Sequence, residues 1–149
     1  IGFDAAFNYK TRDLNEALAE TCPDGIDVNF ENVGGKMLEA VLNRMNHGGR
    51  IIFCGSISGY NETTPQPGPN NLMNIVRQEI TMRGFIVMSY GHLMGDFYRD
   101  MRQWLKDGSV KYRETIIEGI EKAPEAFMGM LRGENFGKMI VQVSDDPTR

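Results

Sequence analysis

The sequence predicts an α/β fold: an incomplete, doubly wound parallel sheet, followed by a C-terminal segment of different character. Short apolar stretches alternate with amphipathic helical stretches over residues 5–107, and such alternation is typical of parallel sheets. Residues 51–54 are apolar without interruption, as in a strand that helices cover on both faces. After residue 108 this alternation stops.

Composition and charge argue against several classes of protein. The 149 residues are 41% hydrophobic and 24% charged, as in ordinary globular domains. The net charge of −4 disfavours a nucleic-acid partner, because no basic surface would neutralise phosphates. No apolar run approaches the roughly 18 residues of a membrane span, and two cysteines provide neither a disulfide framework nor a metal motif. We therefore expect a protein of the reducing cytoplasm.

The first elements follow from local signals. Residues 5–9 form a short apolar strand candidate, and Asp13 can cap the helix that follows it. Residues 23–25 favour a turn, and residues 26–30 alternate apolar and polar side chains, which predicts a second strand.

The next helix carries an apolar stripe, and His47-Gly48-Gly49 is predicted to end it. The stripe consists of Met37, Leu38, Val41, Leu42 and Met45. The apolar strand at residues 51–54 comes next and is predicted to bury Cys54 as an inert, packed thiol.

A stiff loop with three prolines covers residues 63–69, and a further helix follows it with Asn70 or Asn71 as its cap. That helix is marked by Leu72, Ile75, Val76 and Ile80. Residues 82–88 predict a fourth strand. The spacing of Phe97, Met101, Trp104 and Leu105 predicts a helix that ends at residues 107–108.

The last 41 residues, 109–149, are predicted to belong to another domain than residues 1–108. Residues 110–120 read as extended chain, and Pro124 fits the first turn of a short helix. A turn at residues 133–137 and a strand at 139–143 complete the segment.

The loop after the apolar strand is the first candidate for function, because ligands of parallel sheets bind at the carboxyl ends of the strands. Residues 55–60 offer backbone amides, two serines and a phenol at such an end. Asn32-Val33-Gly34-Gly35 ends the preceding strand and is either a cofactor wall or only a tight turn that needs glycine. Tyr9 and Tyr60 are either ligand contacts or half-buried aromatic residues.

Two familiar motifs are absent. None of the 17 glycines forms a G-x-G pair, so the dinucleotide-binding fingerprint does not occur. Because the chain opens at Ile1 without an initiator methionine, we expect the first β-α-β unit to lie upstream. The G-x-S-x-G elbow also fails, since Ile57 stands at its centre, and neither His47 nor His92 has a partnered motif. A hydrolase is therefore disfavoured.

Several stretches, in collinear order over essentially the whole chain, resemble one family: the zinc-independent medium-chain dehydrogenase/reductases of the prostaglandin reductase and curcumin reductase type. They are Phe7-Asn8-Tyr9-Lys10, Phe30-Glu31-Asn32-Val33-Gly34-Gly35, Cys54-Gly55-Ser56-Ile57-Ser58-Gly59-Tyr60-Asn61, Ile117-Glu118-Gly119, Ala126-Phe127-Met128-Gly129-Met130-Leu131 and Gly133-Glu134-Asn135-Phe136-Gly137-Lys138.

The resemblance implies the C-terminal portion of a longer enzyme. Residues 1–108 would be a partial Rossmann-type dinucleotide-binding domain without its first β-α-β unit, and residues 109–149 would return to the catalytic domain. Tyr9 would approach the adenosine 2′-phosphate of NADP. The remaining residues implied to line the cofactor site are Asn32, Cys54, Gly55, Ser56, Ile57, Ser58, Gly59, Tyr60, Phe85, Ile86, Val87 and Asn135.

The implied activity is the NADPH-dependent reduction of the C=C bond of α,β-unsaturated ketones or aldehydes by a cytoplasmic homodimer. Either Tyr60 or the ribose hydroxyl of NADPH would orient the substrate carbonyl or relay a proton, and residues 65–71 would shape the substrate side. Arg77 stands where mammalian prostaglandin reductases carry a tyrosine, which argues against prostaglandin-like substrates. The fragment alone is expected to be inactive, because it lacks the pyrophosphate turn and most of the catalytic domain.

Two other classes remain as alternatives: a non-catalytic nucleotide-binding or interaction module, and an S-adenosylmethionine-dependent methyltransferase. The methyltransferase fits the motifs poorly. Oxidation of NADPH stimulated by an enone distinguishes the enzyme from the non-catalytic module.

Overall fold

The computed structural model describes residues 2–146, which form two compact units, residues 2–94 and 95–146. The predicted domain boundary after residue 108 stays a prediction. The first unit contains α1 (Leu14–Thr21), β1 (Ile26–Glu31), α2 (Gly35–Leu42), β2 (Met45–Phe53), α3 (Met73–Arg77) and β3 (Thr81–Gly84). The second contains β4 (Glu114–Glu118), α5 (Ala123–Arg132) and β5 (Lys138–Gln142), preceded by α4 (Met94–Asp107).

The sheet of the first unit has the strand order β1-β2-β3, and both pairings are parallel. β4 and β5 form a separate parallel pair in the second unit. The parallel α/β architecture predicted from the sequence is therefore confirmed. A 3₁₀ turn at Ile57–Gly59 follows the end of β2, and a 3₁₀ segment at Val87–Leu93, kinked at Tyr90, follows the end of β3.

The core of the first unit packs α1 and α2 against the sheet. Its buried side chains come from both helices, from β2 and from the residue before β3, and they are Leu18, Leu38, Ala40, Val41, Leu42, Met45, Ile51 and Ile80. This packing leaves Val28 and Phe30 of β1 exposed within the unit. No helix in residues 2–146 is both long enough and apolar enough to cross a membrane.

Two predicted boundaries are wrong around α2. The helix ends at Leu42 instead of at His47, and Met45 already belongs to β2. β2 pairs with β1 through Met45, and a register shift before the pair Val28↔Arg50 accommodates the residues in between. Gly48, at φ 72°, lies in this irregular stretch. Pairing with a neighbouring strand thus prevails over the local helical spacing.

Two predicted strands also differ. Residues 5–9 form no strand in the described chain, since a strand needs a hydrogen-bonded neighbour and these residues have none in either sheet. β3 ends at Gly84 instead of continuing to residue 88, because the chain turns into the 3₁₀ segment that contains Val87.

The predicted cap of α3 is wrong as well. Leu72 occupies the N-cap position, and the amide of Asn71 donates to Glu39 O instead. Cys54 lies just beyond β2 and is exposed, so the prediction of a packed thiol is wrong.

Other local signals are confirmed. The Asp13 carboxylate accepts a hydrogen bond from Glu16 N at the start of α1, and Pro124 lies in the first turn of α5. Ser109 N and Oγ donate to the carboxylate of Asp107 at the end of α4, which lowers the pKa of Asp107.

Candidate functional site

The carboxyl ends of the three parallel strands lie at one edge of the sheet. β1 ends at Glu31, β2 at Phe53 and β3 at Gly84, and the register pairs Glu31 with Phe53 and Phe53 with Gly84. The segments that leave these ends therefore begin side by side. This is the edge at which parallel α/β sheets bind ligands.

Four backbone hydrogen bonds join the segments that follow β1 and β2. Cys54 N and Gly55 N donate to Glu31 O at 2.9 and 3.1 Å. Ile57 N donates to Asn32 O at 2.9 Å, and Ser58 N donates to Val33 O at 3.0 Å. We call residues 32–35 together with 54–58 the strand-end floor. Its shape is fixed by backbone pairing, so its side chains are held in a defined arrangement.

Two glycines allow the two halves of the floor to approach each other. Gly34 adopts φ 72°, and a Cβ at this position would collide with Ser56 Oγ. A Cβ on Gly35 would lie 3.0 Å from Ser58 Oγ. The Gly-Gly pair is therefore needed both for the turn conformation and for the close contact between the two halves. The sequence alone was equally compatible with a simple turn that needs glycine.

Glu31 anchors the floor and was not identified from the sequence. Its carboxylate is buried and accepts hydrogen bonds from Val33 N at 2.6 Å and Gly34 N at 2.7 Å. Asn29 Nδ2 donates to the other carboxylate oxygen at 3.0 Å. An acidic residue at a strand end, three residues before a Gly-Gly pair, is the signal that could have identified it.

A cavity of about 880 Å³ opens beside the floor. Of the predicted cofactor residues, Tyr9, Ser56, Ser58 and Gly59 line it. The segment 66–70 of the proline-rich loop supplies another part of its lining, while its predicted role on the substrate side stays a prediction. Lys36, at the start of α2, also lines the cavity and was not predicted. The volume lies within the range of small-molecule and cofactor sites.

Asparagine side chains attach the end of the proline-rich loop to α2. Asn71 Nδ2 donates to Glu39 O at 2.8 Å and to Asn43 Oδ1 at 2.7 Å. Asn74 Nδ2 donates to Leu42 O at 3.2 Å and to the same Asn43 oxygen at 3.2 Å. These bonds hold the loop wall of the cavity against the helix that begins at the floor.

A second cavity of about 560 Å³ lies at the end of β3 and is lined by Phe85 and Ile86, together with Arg83 and Tyr90. Phe85 makes edge contacts with Phe30 and with Tyr90, each with ring centroids 5.8 Å apart. Val87, predicted for the same site, does not line this cavity and is exposed in the 3₁₀ segment.

The remaining predicted residues fall in three places. Tyr60 is 69% exposed, yet a Cβ on Gly55 would lie 3.2 Å from its hydroxyl and 3.8 Å from Asn32 Oδ1. Asn32, Gly55 and Tyr60 are thus close together, while Cys54 and Ile57 are exposed nearby. Asn135 belongs to the other unit, where its amide donates to Gly137 O at 2.6 Å.

Within residues 2–146, no three His, Cys, Asp or Glu side chains are grouped so that they could hold a metal ion. The cavity beside the floor is lined by the hydroxyl residues Ser56 and Ser58, by the charged residues Lys36, Glu39 and Glu62, and by apolar residues such as Phe53. Such a surface suits an organic ligand with a few hydrogen-bonding groups.

Comparisons with known proteins show the family to which the chain belongs. Residues 1–107 match the family described as zinc-binding dehydrogenases. The chain is 43% identical to the NADPH-dependent curcumin reductase of Escherichia coli strain K12, over 98% of this chain and 44% of that protein. It is 48% identical to prostaglandin reductase 1 of Rattus norvegicus, over 95% of this chain and 44% of that protein.

A solved structure shows the same fold. The crystal structure of CurA in complex with NADPH from Vibrio vulnificus matches with a TM-score of 0.88 and 46% identity, over 97% of this chain and 44% of that one. The chain thus spans less than half the length of the relatives that it matches. On the evidence of the family match and these relatives, the chain belongs to the zinc-binding dehydrogenase family of medium-chain dehydrogenase/reductases, in the branch that includes curcumin and prostaglandin reductases.

Proposed function

We propose that the complete protein is an NADPH-dependent oxidoreductase that reduces the C=C bond of α,β-unsaturated ketones or aldehydes. The observation that carries the proposal is the strand-end floor, a preformed surface beside an 880 Å³ cavity at the carboxyl edge of a parallel sheet. Relatives named as NADPH-dependent curcumin reductase and prostaglandin reductase support the cofactor and the class of reaction.

The residues of the floor fit one part of a nicotinamide dinucleotide. Ser56 and Ser58 can form hydrogen bonds with ribose or carboxamide groups, and Phe53 adds apolar surface to both cavities. Residues 2–146 contain no G-x-G-x-x-G turn for the pyrophosphate. The floor therefore accounts for half of a cofactor site, and we expect residues 1–149 alone to be inactive.

The other cofactor-site residues are proposed from the resemblance to the curcumin and prostaglandin reductases. Tyr9 contributes to the adenosine 2′-phosphate site, and its place at the cavity supports this role. Phe85, Ile86 and Val87 contribute at the end of β3. Asn135 contributes from the second unit. We also propose that the complete protein is a cytoplasmic homodimer.

The chemistry divides between cofactor and protein. When bound, NADPH would supply the hydride for the β-carbon of the substrate and would leave as NADP⁺. The C=C electron pair moves toward the carbonyl, and negative charge develops on the carbonyl oxygen. We propose that the Tyr60 hydroxyl donates a hydrogen bond to that oxygen or relays the proton that the α-carbon finally receives. A positioned donor stabilises this charge more strongly in a site from which water is excluded.

A panel of substrates tests the proposed function. We expect the complete protein to oxidise NADPH when an enone or enal is added and to release the saturated ketone or aldehyde. The matched saturated carbonyl compounds should cause no oxidation, because they offer no C=C bond. The measurement is the absorbance of NADPH, with product identification by mass spectrometry. NADPH binding without oxidation by any enone would instead indicate a non-catalytic nucleotide-binding module.

A further inference from the structure

The buried carboxylate of Glu31 is the feature that the proposed function leaves unexplained. Glu31 is 2% exposed, and burial of a carboxylate costs free energy unless hydrogen bonds compensate for the lost water. Three donors provide that compensation: Val33 N, Gly34 N and Asn29 Nδ2. Hydrogen bonds to an ionised acceptor are the strong ones.

The same residue contacts both halves of the strand-end floor. Its side chain holds the turn at residues 33–34, while its backbone carbonyl accepts from Cys54 N and Gly55 N. This segment also places two backbone carbonyls where they accept hydrogen bonds: Asn32 O accepts from Ile57 N, and Val33 O accepts from Ser58 N. A change in the Glu31 side chain would therefore be transmitted to residues 54–58 through bonds that the structure shows.

The carboxylate also occupies the amides that lead into α2. Val33 N and Gly34 N come immediately before that helix, and both donate to one Glu31 oxygen. These donors are consequently engaged before any ligand arrives. The floor gains a fixed conformation from this arrangement, and binding to a preformed surface avoids the entropy cost of ordering it.

We propose that Glu31 is a positioning residue that preforms the strand-end floor for the cofactor. This inference rests on the proposed function, and it adds a role for a buried acid that does not touch the substrate. Without an acceptor at residue 31, Val33 N and Gly34 N lose their partners and the turn loosens. Cofactor binding then has to order the floor as well.

The test compares Glu31→Gln with Glu31→Leu in the complete protein, with NADPH as the titrant. Glutamine keeps an oxygen that can accept from both amides, whereas leucine has similar size and no acceptor. We expect the NADPH dissociation constant to rise about threefold in E31Q and at least thirtyfold in E31L. At saturating NADPH, kcat should fall less than threefold in E31Q. The control is Glu79→Gln, whose exposed carboxylate lies 3.7 Å from His47 Nε2, and which should leave the dissociation constant unchanged.

If Glu31 only stabilised the fold, the Glu31 variants would give a result different from the expected change in NADPH affinity. In that case the variants would contain less folded protein, and Vmax would fall in proportion while the folded fraction kept the wild-type NADPH affinity. Circular dichroism and the stoichiometry of NADPH binding measure that fraction. Unchanged affinity in both variants would overturn the role of Glu31 and leave the proposed function standing. If the wild-type protein does not bind NADPH, both proposals are overturned.

Discussion

Replacing Gly34 by alanine is expected to destabilise the protein by about 3 kcal/mol, from backbone strain and steric overlap together. Gly34 has φ 72° and ψ −160°, a conformation that residues with a Cβ rarely adopt. The added methyl group would also collide with Ser56 Oγ. Because the overlap separates the two halves of the strand-end floor, NADPH affinity should fall more than tenfold. Urea unfolding and NADPH titration of the complete protein measure the two effects.

Two variants separate backbone strain from steric overlap as causes of the expected loss of stability. Gly48 has the same φ of 72°, but among the described residues no atom beyond its two chain neighbours lies within 4 Å of the place that an alanine methyl group would take. Gly48→Ala should therefore cost only about 1 kcal/mol, from backbone strain. The double variant Gly34→Ala with Ser56→Gly removes the overlap and should recover part of the lost stability. If Gly34→Ala costs no more than Gly48→Ala, the close contact between Gly34 and Ser56 does not matter and the account of the floor is wrong.

Replacing Tyr60 by phenylalanine is expected to lower enone turnover about a hundredfold, since a single positioned donor or proton-transfer group contributes on this order. The dissociation constant of NADPH should change much less. The phenol lies beside Gly55 and Asn32 at the floor, and the side chain is exposed enough to meet a ligand. Steady-state kinetics at saturating NADPH, together with equilibrium titration, give the two values.

Tyr112 provides the matched control for Tyr60. It is 68% exposed and is not among the residues proposed for the cofactor or substrate site, so Tyr112→Phe should leave turnover unchanged. Equal turnover of the wild type and Tyr60→Phe would exclude the phenol as the essential group. The ribose hydroxyl of the bound cofactor would then be the candidate that replaces it.

The sequence was sufficient for elements whose signals are local. Asp13 caps α1 with its own carboxylate, and Pro124 starts α5 in the expected turn. The stripe at Phe97, Met101 and Trp104 lies on α4 as predicted. Each of these signals acts within a few residues of the chain, so no tertiary information was needed to read it.

Errors occurred where distant partners decide the structure. Met45 continues the helical spacing of α2, but its pairing with Ile26 places it in β2. Asn71 has the side chain of a helix cap, yet it bonds to Glu39 O and Asn43 across a gap of about thirty residues in sequence. Neither partner is visible from the local sequence.

In the candidate site too, local signals were read correctly and contacts with other parts of the chain were missed. Residues such as Ser56 and Ser58 were identified because they follow a strand, and the cavity does form beside them. Cys54 was expected to be packed, but β2 ends one residue earlier and leaves the thiol exposed. Glu31 was overlooked because its partners are backbone amides of a turn, and the one local signal, an acidic residue at a strand end ahead of two glycines, was not read in that sense.

Hydrogen exchange of the complete protein with and without NADPH tests most directly whether the strand-end floor holds the cofactor. We expect NADPH to slow exchange in residues 32–35 and 54–60, with little change in residues 45–49 at the opposite end of β2. If NADPH binds while exchange in residues 32–35 and 54–60 stays the same, the cofactor lies elsewhere and the central claim is contradicted.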